Sequence, residues 1–296
     1  MLFQTTSDDW QLQLISLFCW VDDGFKFRGW SWFCERFSNN SEPDFTDAEV
    51  LTCYLFARLR GLHQYKQTWR LISDFVADYF PRLPCYASFV DRIHRLLGVI
   101  EHALGELCSS SPHSEHVDYV IDSMPIILAK GPRAARAKVA QGVAQKSYCA
   151  TKQIWYYGVK LHVLARRQVG QMPTPFAMGL TPAQEHDILA LKRWSKGLTQ
   201  GKVFADKAYV SEELASQLQA QGSQLCTPQK KTKGVSQLPG KDVRHMEVSQ
   251  VRQPIEVFFA WLQEKTQIQN ASKVRSLKGL LTFIWSSLLV ALLLFP

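Results

Sequence analysis

The sequence lacks the cysteine spacing of a disulfide framework or a structural zinc site. Its seven cysteines are scattered over 296 residues, and none forms a C-x-x-C pair. An odd number of scattered thiols is typical of a reducing compartment, so we expect free cysteines and a cytoplasmic protein. His113 and His116 have no cysteine or third histidine at ligand spacing, which argues against a zinc site.

The sequence also lacks a secretion signal and an apolar run of membrane-spanning length. The first residues, Met-Leu-Phe-Gln-Thr-Thr, contain no basic segment. The apolar run 280–295 has 16 residues and includes Thr282, Ser286 and Ser287, whereas crossing a bilayer takes about 20 residues. We therefore expect a buried helix at this position and no membrane partner.

Acidic residues are scarce in the second part of the chain. Residues 1–118 contain 10 basic and 16 acidic residues, a net charge of −6, whereas residues 119–296 contain 24 basic and 10 acidic residues, a net charge of +14. A strongly basic segment is typical of polyanion binding, although a generic solvated surface is the alternative. The charge change and the Ser/Pro-rich stretch 109–116 predict two domains, 1–112 and 113–296.

The pattern of apolar residues predicts that the first domain is helical throughout. Thr46 and Glu49 have the spacing of a capping box before the apolar residues that follow. Apolar residues then recur at steps of three and four between positions 89 and 107, which predicts an amphipathic helix. The domain is too acidic to be assigned a DNA-binding role from charge.

The second domain alternates between strands and helices. Short apolar or alternating segments predict five strands, at 117–121, 155–165, 176–180, 202–205 and 224–227. Helices are expected after the third and fourth strands and at the end, and 130–146 is expected to be a loop. This order predicts an α/β domain with a mixed five-stranded sheet.

Three carboxylates occupy the ends of these predicted elements. Asp122 ends the first strand, Asp206 ends the fourth, and Glu256 opens the last helix of the sheet domain. Converging carboxylates can hold two divalent ions about 4 Å apart, and oxygen ligands favour Mg²⁺ or Mn²⁺. Each residue also has a structural alternative: a turn at Asp122, a cap or surface ion pair at Asp206, and a favourable helix-dipole interaction at Glu256.

Five short strings carry a family resemblance. They are Val120-Ile-Asp-Ser, Tyr157-Gly-Val-Lys-Leu-His, Ala205-Asp-Lys-Ala-Tyr, Arg252-x-x-Ile-Glu-x-Phe-Phe and Lys273-Val-Arg-Ser. Because these strings occur in this order, the chain resembles the Asp-Asp-Glu transposases of bacterial insertion sequences, and most of all the insertion-sequence 982 group. The resemblance covers most of 117–280 and implies a ribonuclease-H-like fold for the second domain.

The resemblance implies a DNA transposase that hydrolyses phosphodiesters at its element's ends and joins the 3′-hydroxyl to target DNA. Asp122, Asp206 and Glu256 would be both catalytic residues and ligands of two Mg²⁺ or Mn²⁺ ions. The implied partners are double-stranded transposon ends and target DNA, bound by a homodimer or higher assembly. The implied location is the bacterial cytoplasm, at the nucleoid when bound, and the helical domain would serve end binding or assembly.

Candidate DNA-binding residues come from the basic loop, the second predicted strand, the position after Asp206 and the helix of Glu256. They are Arg133, Arg136, Lys138, Lys160, Lys207, Arg252, Gln263 and Lys265. We expect Lys160 and His162 to share a strand face with neighbours that flank the carboxylates. For His162 two alternatives stay open: a role at this site, or a purely structural role as a packed polar residue. Asp187 is a cap of the following helix or a fourth acidic contributor.

The chain departs from the signature Tyr-x-x-Arg-x-x-x-Glu-x-x-x-x-x-x-Lys of related enzymes. Ser249 stands at the tyrosine position and Gln263 at the lysine position, so Lys265 is a candidate substitute. Two other functions stay open: a ribonuclease-H-like nuclease that cuts without joining, and an inactive DNA-binding relative.

Overall fold

A computed structural model describes residues 9–35, 43–80, 82–109, 117–150, 152–198, 200–228 and 241–295, with only the backbone at 241–247. His113, His116 and most of the expected boundary stretch lie outside these residues. The chain forms two compact units. The helical unit contains residues 1–107, 262–268 and 274–296, and the sheet unit contains residues 108–261 and 269–273.

The helices of the structure are, in chain order, α1 Trp10–Phe27, α2 Asp47–Leu59, α3 Tyr65–Phe75, α4 Tyr86–Arg95, α5 Leu97–Ser109, α6 Ile188–Trp194, α7 Glu212–Ala220, α8 Lys241–Thr266 and α9 Leu277–Leu294. The predicted capping box starts α2: the Glu49 backbone N–H donates to the Thr46 hydroxyl, and the Glu49 carboxylate accepts from the Thr46 backbone. The helix expected over 89–107 is two helices, α4 and α5, which separate at Leu96. Both bury their apolar residues, so the periodicity alone does not reveal the break.

The apolar C-terminal run forms α9, a largely buried helix. By length and composition alone α9 could cross a membrane, and it is the one such helix among the residues that the structure describes, but 67% of it is buried. It packs against α2 and α4, and the hydroxyls of Tyr54 and Ser286 lie 3.0 Å apart. The structure thus differs from the expected division of the chain, because the packing of α9 groups it with the helical unit.

The sheet unit is built on one mixed sheet of six strands. The strands are β1 Tyr119–Lys130, β2 Gln145–Cys149, β3 Ile154–Arg166, β4 Thr174–Pro182, β5 Gly201–Phe204 and β6 Ser223–Cys226. β3 is antiparallel to β1 along one edge and to both β2 and β4 along the other. β5 is parallel to β1 and to β6. The predicted α/β class with a helical N-terminal region is confirmed.

The count of five strands was wrong, because part of the expected basic loop is strand. β1 runs to Lys130 and β2 begins at Gln145. Pro125 is tolerated in β1 because its nitrogen faces an edge without a strand partner. The Ile127 N–H, two residues further on the same edge, bonds to the Gln269 carbonyl rather than to a strand, and β5 pairs only with Tyr119 and Val120.

Candidate active site

Asp122 lies within β1 rather than at its tip. Its Cα partner on β3 is Val163, and the parallel pairing of β1 with β5 ends two residues earlier, at Val120 and Phe204. The expectation of a strand end at Asp122 was therefore wrong for β1, although the β5 side of the strand does open at this point. The opening leaves the Asp122 carboxylate half-buried.

Asp206 follows β5 and begins a 3-10 turn at Lys207–Tyr209. Its carboxylate accepts a hydrogen bond from the Ala208 backbone N–H, as a helix cap does. Tyr209 anchors the other end of the turn, because its side chain is buried in a core that includes Ile121 and Leu164. Asp206 therefore caps the 3-10 turn and also follows the end of a strand, so the two interpretations of this residue are compatible.

Glu256 and Arg252 lie on α8, which Ile255 and Phe258 anchor through their buried side chains. The Arg252 guanidinium donates to Asp122 Oδ2 at 3.0 Å, and the two side chains are only 12% and 21% exposed. Glu256 is exposed. The ion pair places the middle of α8 beside the strand that carries Asp122. The expectation that Glu256 opens the helix was wrong, because α8 already begins at Lys241.

The charges of Asp206 and Glu256 both act on the Asp122 carboxylate. The pKa of Asp122 is raised from 3.8 to about 6, chiefly by burial. Arg252 and the Ser123 N–H oppose this increase, and the negative charges of Asp206 and Glu256 make smaller contributions to it. The pKa of the buried Tyr209 hydroxyl is also influenced by the charges of Asp206, Asp122 and Arg252. Burial and mutual repulsion therefore make this group of carboxylates electrostatically costly.

The donor chemistry of the three carboxylates fits a hard divalent cation. Their oxygens are the ligand type that Mg²⁺ and Mn²⁺ prefer, and an added positive charge would reduce the repulsion at Asp122. Within the described ranges, no three His, Cys, Asp or Glu side chains are gathered closely enough to form a metal site. Arg252 instead provides the positive charge next to Asp122.

Lys160 and His162 do not share the carboxylate face, so that expectation was wrong. Directly opposed residues of an antiparallel pair point to the same side of a sheet, and successive residues alternate. Because Asp122 is opposite Val163, it shares a face with the odd-numbered residues of β3. Lys160 and His162 point to the other face, on which Leu164 packs in the core that contains α6 and α7.

On that other face Lys160 is held by a local ion pair. Its ammonium group lies 2.7 Å from Asp187 Oδ1 and 2.8 Å from the Glu185 carbonyl. Asp187 precedes α6, but its side chain makes no capping hydrogen bond, because it is engaged by Lys160. The buried His162 Nε2 lies 2.8 Å from the Thr181 hydroxyl, and burial lowers the pKa of His162 to about 4.

Two buried polar groups lie in this part of the sheet unit, and the sequence singled out His162 but not Tyr209 as a candidate. The Tyr209 hydroxyl and His162 Nδ1 are buried without a hydrogen-bond partner in the structure, and Asp187 acts electrostatically on both. Tyr209 stands three residues after Asp206 in the string Ala205-Asp-Lys-Ala-Tyr. This spacing is the sequence feature from which a position of Tyr209 near Asp206 could have been predicted.

The remaining candidate residues occupy three regions. Arg133, Arg136, Lys138 and Lys207 are exposed in the sheet unit. The basic loop is held to β3 because the Tyr157 hydroxyl donates to the Val139 carbonyl at 3.0 Å. Gln263 is partly buried and Lys265 is exposed and paired with Glu264, and the structure groups both with the helical unit.

Comparison with known proteins identifies the family. A family model described as the transposase DDE domain matches residues 113–276, which is more than half of the chain. No curated protein sequence matches significantly. A cryo-EM structure of a piggyBac transposase synaptic complex with hairpin DNA is similar at a TM-score of 0.48 and 8% identity, over 98% of this chain and 75% of that chain, a likeness too weak to add to the assignment. By the match over 113–276, which contains all three carboxylates, the chain belongs to the transposase DDE domain family.

Proposed function

We propose that this DDE transposase cleaves phosphodiesters at the ends of its own element and transfers the freed 3′-hydroxyl into target DNA. The observation that carries the proposal is the half-buried ion pair between Arg252 and Asp122, which brings the helix of Glu256 beside the strand of Asp122. The charges of Asp206 and Glu256 also contribute to the raised pKa of Asp122. A family member that keeps three carboxylates, the ligand type that Mg²⁺ and Mn²⁺ prefer, in a basic unit has the chemical groups needed for metal-dependent chemistry on a polyanion.

Asp122, Asp206 and Glu256 are the residues that would hold the divalent metal, as two Mg²⁺ or Mn²⁺ ions. When bound, the metal supplies charge stabilisation at the attacking and leaving oxygens of the phosphodiester. The chain's own groups orient these ligands. The turn that Tyr209 anchors positions Asp206, and the Arg252 guanidinium holds Asp122 Oδ2 and compensates its charge.

DNA is held through its phosphates by exposed cations of the sheet unit. Arg133, Arg136 and Lys138 lie in one loop, and Lys207 lies directly after Asp206. Lys160 is less suited to this role than its sequence context indicated, because Asp187 already neutralises it. We place the reaction in a homodimer or higher assembly on DNA in the bacterial cytoplasm, and the five sequence strings favour the insertion-sequence 982 group.

The first experiment compares cleavage of linear element-end DNA by the wild-type protein and by Asp122→Asn, Asp206→Asn and Glu256→Gln. Each substitution removes one charge and little volume, so we expect loss of cleavage with DNA affinity within a few-fold of wild type in a gel shift. Activity should require Mg²⁺ or Mn²⁺ and stop in EDTA. Cleavage that continues in EDTA contradicts metal-dependent chemistry, and a variant with near-wild-type cleavage shows that its residue is misassigned.

The second experiment separates a transposase from a nuclease that only cuts. A pre-nicked terminal oligonucleotide and a target plasmid are incubated with wild-type protein, and joined product is scored. The matched control is Asp44→Asn, an exposed carboxylate of the helical unit, which should leave both steps unchanged. If the protein cleaves but never joins under any divalent-metal condition, the nuclease function replaces the transposase function.

A further inference from the structure

The strands β2 and β3 present two aromatic side chains to solvent. Tyr148 and Trp155 are direct partners in the antiparallel pair, with ring centroids 5.4 Å apart and ring planes inclined by 54°. Such a cross-strand pair stabilises two adjacent strands. Even so, 49% of Tyr148 and 54% of Trp155 remain exposed, so much of the aromatic surface is open to solvent.

A basic side chain contacts this aromatic pair, and the segment of the chain that carries the pair contains no acidic residue. The Lys146 ammonium group lies 5.0 Å from the centroid of the Trp155 ring, within the range of a cation–π interaction. From Ser123 to Gln184 the chain contains nine basic residues and no acidic residue. An exposed aromatic surface within a purely basic segment suits a ligand that combines a flat π system with negative charge.

Strand geometry relates the aromatic pair to the carboxylates. Trp155 and Val163 are eight residues apart on β3, so their side chains point to the same face, and Val163 is opposite Asp122. At about 3.3 Å per residue the two positions are roughly 26 Å apart along the strand. The Tyr157 side chain points to this face as well and binds the Val139 carbonyl, which holds the basic loop beside the pair.

We propose that Tyr148 and Trp155 form a stacking platform for an unpaired nucleobase of the DNA substrate. Every base offers a π face, and stacking on an aromatic side chain favours single-stranded over paired DNA, because a paired base is already stacked within the duplex. Lys146 and the basic loop then bind the adjacent phosphates. The separation from Asp122 corresponds to about eight base-pair steps at 3.4 Å per step, so the platform holds DNA that flanks the cleavage position.

This inference rests on the proposed function, and its test measures binding without catalysis. The probes are a 20-base-pair duplex and the same duplex with an eight-nucleotide single-stranded extension that contains 2-aminopurine, both in EDTA. We expect the wild-type protein to bind the extended probe at least about fivefold more tightly than the blunt probe, and to quench 2-aminopurine fluorescence as the base stacks.

The variants separate stacking from charge and from folding. Trp155→Ala and Tyr148→Ala should remove the preference for the extended probe and the quenching, with blunt-duplex affinity unchanged. Trp155→Leu keeps apolar bulk on β3 but has no π face, so it should behave as Trp155→Ala even if the alanine variant folds poorly. Trp155→Phe should retain part of the preference. Trp32→Ala removes an 89% exposed tryptophan of the helical unit and should change nothing.

The possible outcomes distinguish a failure of the stacking platform from a failure of the proposed transposase function. If the folded Trp155→Leu and Tyr148→Ala variants keep the wild-type preference, or lose affinity for both probes equally, the platform does not exist. If wild-type protein binds and cleaves duplex DNA but never prefers the extended probe, the platform fails and the proposed transposase function stands. If the wild-type protein binds neither probe, the proposed function itself is contradicted.

Discussion

The Arg252 guanidinium lies 3.0 Å from Asp122 Oδ2, so a basic residue of α8 is the immediate counter-charge of a carboxylate in β1. The two residues are 130 positions apart in the chain. In the proposed metal-dependent reaction Arg252 would support Asp122, and it would also be a candidate cation for the DNA backbone. These two roles can be separated by substitution.

The first prediction concerns Arg252. Arg252→Ala leaves the Asp122 carboxylate half-buried without its cation, and we expect joining of a pre-cut end to fall by at least about tenfold, as for a charged hydrogen bond worth about 1.5–3 kcal/mol. Arg252→Lys restores the charge but not the planar guanidinium, so recovery should be partial. Cleavage and joining are scored on the same oligonucleotides.

Gln263 and Lys265, which lie further along α8, provide the matched comparison for Arg252. Gln263 is seven residues from Glu256 and stays within about 20° of its face of the helix, whereas Lys265, nine residues on, is rotated by about 180°. We expect Gln263→Ala to impair joining more than Lys265→Ala, and Arg252→Ala to impair it most. If Lys265→Ala has the largest effect, the lysine takes the signature role and the helical-face argument is wrong.

The second prediction is a pH dependence of stability that Asp122 produces. Its pKa is raised from 3.8 to about 6, so between these values the folded protein binds a proton that the unfolded chain does not. The free energy of unfolding should therefore fall as pH rises from about 4 to 6, by at most about 3 kcal/mol. Above pH 6 this cost is fully present.

Asp122→Asn should remove this dependence. Measured by urea unfolding in EDTA, the variant should gain stability relative to wild type between pH 4 and pH 8, whereas the exposed Asp44→Asn control should not. In Mg²⁺, wild-type cleavage should decline as pH falls through about 6, because protonated Asp122 is a poor metal ligand. A wild-type stability difference from Asp122→Asn that is the same at pH 4 and pH 8 would falsify the raised pKa.

The third prediction concerns the basic loop. Arg133, Arg136 and Lys138 are exposed, and no acid in the described parts of the chain forms an ion pair with them. Replacing all three with Ala should weaken duplex binding and reduce the slope of log affinity against log salt by about one unit for each phosphate that the variant no longer neutralises. Gel shifts over a salt series measure both quantities.

The control for the loop removes the same formal charge from cations that already have acidic partners. Arg167 pairs with Asp118, Lys192 with Glu213 and Arg193 with Glu185. Replacing these three with Ala exposes three acids and should lower affinity through net charge, with a smaller change of slope. An unchanged slope in the loop variant means that the loop does not bind phosphates.

The fourth prediction concerns the pairing of β1 with β3. A Cβ atom at Gly158 would lie 2.0 Å from the Ile126 carbonyl oxygen, which is part of the strand backbone and cannot move independently. Gly158→Ala should destabilise the protein by about 1–3 kcal/mol, as a steric conflict in a packed sheet does. Gly142→Ala, where no atom lies within 4 Å, should be near neutral in the same thermal unfolding assay.

Local patterns predicted much of this structure. The capping box at Thr46 depends on residues three positions apart, and the alternation along 155–165 depends on a period of two. Each is a property of a short segment, so it is visible without knowledge of the fold. Asp206 likewise follows its predicted strand, which is the same in the structure apart from its end residues.

The errors arose where a property depends on pairing between distant segments. The face of Lys160 relative to Asp122 is set by the register of β1 against β3, and a one-residue change in register would reverse it. β2 forms because its residues pair with Ile154–Gly158, although the segment alone has the composition of a loop. The Arg252–Asp122 ion pair was not predicted for the same reason, although both residues had been singled out.

The position of α9 has a consequence for synthesis of the protein. Arg58 is buried in the helical unit, and its guanidinium donates to the Ser287 hydroxyl and the Phe283 carbonyl of α9. A ribosome releases α2 long before it translates α9, so the emerging helical unit exposes apolar surface, and water takes the place of the α9 partners of Arg58, until translation reaches α9. A transcript that stops before Leu277 yields a protein that cannot complete its first unit, so truncated copies of the gene should produce chains that are degraded rather than competing DNA-binding fragments.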